Sequence, residues 1–170
     1  MPTTITVTAY SFDELSDKAK DKARQWWRDL LDVYDVSDAT TTDAADVAIE
    51  LPSWDLGGRP TCTVRFADRP GHTAKLILAN HGESCDTHTA AKEYLDAEAV
   101  AVAMEDAGDV DGAADKMDEA ESAFRKALER AYAAMLKAEY EHAYSDEATD
   151  ENIRANEYLF TEDGKRHHTL

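Results

Sequence analysis

The run His81-Gly82-Glu83-Ser84-Cys85-Asp86-Thr87-His88 concentrates the side chains best suited to metal or nucleophile chemistry. Neutral imidazole and thiolate are zinc ligands, and Cys62 could approach them in space. Their spacing, however, is not that of paired zinc ligands. Gly82 reads as the C′ residue that closes a helix, so the run is expected to be a helix–helix turn with capping side chains. A cysteine beside a histidine could also serve nucleophilic catalysis, but only with a base held against the thiol, which spacing does not supply. Asp109-Val110-Asp111-Gly112 resembles a fragment of a calcium loop, yet the third spaced oxygen ligand and the terminal Glu do not line up. A turn is expected there instead. Trp26-Trp27 could form a recognition platform, although an amphipathic helix would place at least one in the core. His167-His168 reads as a tail. No P-loop, dinucleotide fingerprint, His-Glu-x-x-His or Gly-x-Ser-x-Gly is present. The expectation is a protein that is not an enzyme, with no catalytic residue, metal or cofactor.

The elements that would carry these residues follow from periodicity. Ile5, Val7 and Ala9 alternate with threonines, which predicts a half-buried strand. Ser11 and Glu14 have capping-box spacing, and Ser16 offers a second N-cap. Leu15, Ala19, Ala23, Trp26, Leu30 and Tyr34 then form one helical stripe. Thr42 could cap a short helix through Ala44, Ala45, Ala48 and Ile49, ending before Pro52. A hairpin of 53–56 and 61–67 is expected across Gly57-Gly58. Helices are predicted over 73–80, from Thr87 or Thr89 to about Ala107, and from Ala113 to Tyr144. The last has Met117, Ala120, Phe124, Leu128, Ala131, Met135, Ala138 and His142 on one face. A helical turn or two within 146–155 and a strand over 158–161 complete the chain. This order lacks regular βα alternation, so the fold class expected is α+β in a single domain, 1–170. A small antiparallel sheet of three to four strands would pack with four to six helices, one of them long.

Charge is the outlier. The 170 residues hold 36 acidic against 18 basic side chains, a formal net charge of −18. Such a surface disfavours DNA, RNA and anionic membranes and suits basic protein surfaces. Two cysteines are too few for a disulfide framework, and neither a secretory leader nor a membrane span is evident, which suggests a soluble intracellular protein. Residues 93–151 carry 18 acids and 5 bases, whereas residues 61–92 are nearly neutral. The acids singled out as partner-binding are Asp96, Glu98, Glu105, Asp106, Asp109, Asp111, Asp115, Asp118, Glu119 and Glu121. Carboxylates along a helix could imitate a row of phosphates. The plainer readings are a solvated helix face and adaptation to high salt, since Asp outnumbers Glu and Lys is scarce; a GC-rich genome would give part of the same bias.

Three segments carry a resemblance. Tyr10-Ser11-Phe12-Asp13-Glu14-Leu15-Ser16 with Ala19, Ala23 and Trp27 resembles the opening of small acidic tailed-phage accessory proteins. Asn80-His81-Gly82-Glu83-Ser84-Cys85 resembles their middle, and the stretch from Ala155 to Lys165 their end. Some of that family carry an antitoxin-like label. The resemblance implies a phage or prophage origin and supplies no active site. Small acidic phage proteins often occupy host nucleic-acid-binding proteins, as DNA-mimicking anti-CRISPR proteins do. The expected function is therefore an anti-defence inhibitor in the host cytoplasm. Its partner would be a host nucleic-acid-binding protein such as a CRISPR effector, with no direct nucleic-acid or membrane contact. The alternatives are a phage accessory or antitoxin-like binding module without mimicry, and a metalloprotein built on His81, Cys85 and His88.

Overall fold

Helices dominate the computed structural model, which describes residues 8–32 and 35–167. In chain order the elements are β1 (Tyr10–Ser11), α1 (Asp17–Arg28), α2 (Asp38–Asp46), β2 (Ile49–Glu50), β3 (Trp54–Asp55), β4 (Thr61–Cys62), β5 (Arg65–Phe66), α3 (Pro70–Asn80), α4 (Asp86–Asp106), α5 (Val110–Ala143), α6 (Asp146–Ala155) and β6 (Leu159–Phe160). The fold is α+β, with a long helix in its second half. Its strands are only two residues long. They pair as three separate antiparallel ribbons, β1–β6, β2–β5 and β3–β4, rather than as one sheet of three or four strands. The chain forms two compact units. One is contiguous, Ser37–Glu139; the other joins the residues up to Val36 with those from Tyr140 onward.

In the unit built from both ends, Ser11 and Glu14 do form the capping box, but it closes a single 3-10 turn, Phe12–Glu14. Ser16 caps α1 through the Ala19 N–H. Leu15, Ala19 and Ala23 are buried with Phe12, Ile153 and Phe160, while Trp26, Trp27 and Tyr158 pack around them. Both tryptophans are half-buried in this packing. The predicted stripe runs on too far: α1 stops at Arg28 and Leu30 is 59% exposed. Tyr34, His168 and the strand expected from Thr4 lie wholly or mostly outside the described residues.

In the contiguous unit, α2 ends at Asp46. Ala48 then takes a left-handed φ of 60°, turning the chain into β2. That reversal makes Ile49 a strand residue paired with Phe66, where a continuing helix was expected. The hairpin across Gly57-Gly58 forms as β3–β4, with Trp54 opposite Cys62. Pro70 begins α3, as its fixed φ and missing N–H favour at a first helical position. His81 ends α3 in an extended conformation, and Gly82 does not have the positive φ expected of a C′ glycine. The core gathers Val47, Ile49, Val64, Ile77, Tyr94, Phe124, Leu128, Tyr132 and Leu136. Ala138 and His142, placed on the same face of α5 by their spacing, are exposed.

Candidate functional site

The connection between α4 and α5 is three residues long, so the two helices form a hairpin. Asp109 Oδ1 accepts the Gly112 N–H at 3.1 Å, which caps the start of α5. This bond uses the supposed calcium fragment as a turn. Tyr94 stacks on Phe124 across the hairpin. Farther out only small residues are buried between the helices, notably Ala101 and Ala113.

Eleven carboxylates and one lysine lie between residues 93 and 121. Of the ten singled out above, all but Glu98 and Glu121 are exposed. Asp111, Asp115 and Asp118 follow i, i+4, i+7 spacing, which makes a stripe along α5 with Glu119 beside it. At a rise of about 1.5 Å per residue, the stripe's acids stand about 6 and 4.5 Å apart along the axis. Counting Lys92 and Arg125 with the acids they pair, a net eight charges over about 20 Å of hairpin is roughly one per 2.5 Å, sparser than the one per about 1.7 Å of duplex DNA.

Three acids have local duties. Asp96 pairs with Lys92 at 2.9 Å, and Glu121 with Arg125 at 2.6 Å. Glu98 is half-buried against the first turn of α3, where a Cβ added to Gly71 would come 2.7 Å from its Oε1. The first turn of α3 has no acidic residue of its own, so Glu98 supplies the negative charge that a helix N-terminus favours. These three are tied to the fold. With Asp109 taken up as the cap of α5, the acids left are the α5 stripe, Glu105 and Asp106.

Apolar side chains interrupt the acid. Val100, Val102 and Val110 are 50%, 53% and 59% exposed. Val102 and Val110 border a groove of about 340 Å³ with Ala114 and Met117, rimmed by Glu98 and Glu105.

The Cys/His residues divide differently. His81 Nδ1 lies 2.7 Å from Thr87 Oγ1, and its Nε2 lies 3.4 Å from Asp43 Oδ1. Both ring nitrogens of His81 therefore face partners other than Cys85. Cys85 is exposed, whereas Cys62 is buried and its thiol donates to the Glu129 carbonyl at 3.1 Å. Burial, with the Glu129 carboxylate nearby, pushes the Cys62 thiol up to about 11. Among the described residues no three His, Cys, Asp or Glu side chains are grouped to hold a metal ion.

No family model matches the chain, and no match of significance was found among curated proteins or solved structures. No described helix is long and apolar enough to cross a membrane.

Proposed function

We propose that the chain is a protein-binding inhibitor whose α4–α5 hairpin enters a basic nucleic-acid-binding groove of another protein, in place of nucleic acid. The observation that carries this reading is the pairing of two exposed valines on one groove, Val102 and Val110, with a dense stripe of carboxylates beside them. Val102 and Val110 lie exposed on one groove between the helices, so their apolar surface is contiguous rather than scattered. An apolar centre ringed by charge is the usual anatomy of a protein interface. The carboxylates would speed encounter and set specificity, and the valines would hold the complex once formed. In the phage setting that the resemblance implies, the partner class is a host defence effector such as a CRISPR complex.

Displacement of labelled DNA or guide RNA from purified effectors, followed by fluorescence anisotropy, tests this. The chain is expected to compete, and to compete less well as salt rises. Exchanging Asp111, Asp115 and Asp118 for Asn and Glu119 for Gln should weaken competition at least about tenfold. Val102→Ser with Val110→Ser should weaken it at every salt concentration. Competition that ignores both variant sets would sink the reading, as would a failure to displace nucleic acid from any effector.

A further inference from the structure

The contiguous unit holds a second feature that the hairpin does not use, a cavity of about 610 Å³ beside the turn between α3 and α4. That volume lies within the range of about 300–1,000 Å³ typical of small-molecule sites. One wall is apolar, from Ala134, Met135 and Ala138 on α5. The other is polar and carries Asp43, Asn80, His81 and Asp86. No lysine or arginine is among the lining residues.

His81 is the unusual member. Its side chain is only 9% exposed, and its Nε2 is buried without a hydrogen-bond partner. Asp43 Oδ1 stands 3.4 Å away, but the approach is not aligned as a hydrogen bond. The Asp43 side chain is 37% exposed, so solvent reaches its carboxylate, and the unsatisfied atom is His81 Nε2. A proton on Nε2 has no aligned acceptor; a lone pair there faces a carboxylate. Buried polar groups are rarely left so. The other oxygen of Asp43 already accepts the Tyr132 hydroxyl at 3.1 Å. Oδ1 is thus the oxygen still open to a donor.

We propose that this cavity binds a small amphipathic amine, its ammonium group donating to Asp43 Oδ1 and to the neutral His81 Nε2 beside it, its aliphatic body lying on the alanine and methionine wall. Asp86, at the first position of α4, gives the rim a second carboxylate. Two carboxylates and no lysine or arginine weigh against an anionic ligand, and among the described residues no three-ligand cluster is present to hold a bare metal ion. A neutral alcohol would leave Asp43 without a charged partner. The site stands apart from the inhibitory reading of the hairpin and does not depend on it.

Nuclear magnetic resonance titration of the full chain with hexylamine, hexanol and hexanoate tests the proposal. Hexylamine should shift the amides of residues 80–87 and 131–138 saturably, at least tenfold more tightly than the other two. Asp43→Asn should weaken the amine at least tenfold while leaving hexanol unchanged. Ala134→Trp, at an exposed position, should fill the cavity and abolish these shifts, with circular dichroism confirming the fold. Equal binding of the three probes would overturn the proposal. So would amine shifts confined to residues 105–121, because they would report only attraction to surface acid, and so would shifts that persist in Ala134→Trp.

Discussion

Tyr94 and Phe124 lie nearly parallel, their ring centroids 5.0 Å apart and their planes 27° from coplanar. Phe66 extends the stack, 5.5 Å from Phe124 on an adjoining ribbon. One fully buried ring therefore holds two helices and a strand together. Phe124→Ala should cost about 3–5 kcal/mol, the range for losing a large core aromatic. Val102→Ala, at an exposed site on the same hairpin, should stay within about 0.5 kcal/mol. Urea denaturation of both variants checks the contrast, and similar costs for the two would contradict this account of the hairpin.

Arg24 and Asp150 form a two-pronged ion pair in the other unit, with Nε to Oδ1 at 2.7 Å and Nη2 to Oδ2 at 2.8 Å. Both side chains are mostly shielded, at 18% and 15% exposure. The matched fork of a guanidinium and a carboxylate is stronger than a surface pair. Asp150→Ala should therefore destabilise by about 1.5–3 kcal/mol. Asp163→Ala removes an exposed carboxylate near Lys165 and should change little by comparison. Thermal melts of the two variants at one ionic strength distinguish them.

Alkaline pH should unfold the chain in a defined direction. Burial keeps the Cys62 thiol protonated to about pH 11 in the fold, whereas an exposed thiol gives up its proton near pH 9.0. The unfolded chain thus releases this proton first, so stability is present below about pH 9 and drains away towards pH 11. The loss should be on the order of 2 kcal/mol. Tyr132, its hydroxyl raised by burial and by Asp43, adds a loss of the same sign at higher pH. Urea titrations at pH 8 and pH 11 should show this slope, and Cys62→Ala should flatten it. A thiol reagent at pH 8 should label Cys85 and spare Cys62.

The helices were legible because their signals are local. Ser16 and the Leu15–Ala19–Ala23–Trp26 spacing are enough to place α1 and its buried face. The pairing of strands was harder, since each runs only two residues and alternation needs more length to show. Ala48 hid best. A left-handed alanine has no sequence signature, and on propensity alone it extends α2 through Ile49. The acidic stretch could be read directly, but the separation of structural from free carboxylates could not. Glu98 is taken up by α3 only because Gly71, distant in sequence, leaves room for it. His81 and Cys85 looked alike as chemistry until the fold turned both imidazole nitrogens towards Thr87 and Asp43.

The two-part assembly also imposes a timetable on synthesis. Residues 37–139 make a contiguous unit that can close as soon as they clear the ribosome. Phe12, Leu15, Ala19 and Ala23 cannot, because their buried partners Ile153 and Phe160 are translated more than a hundred residues later. At about 5–20 residues per second, that apolar set waits on the order of ten seconds. During that interval its apolar face has none of the partners that bury it in the finished fold.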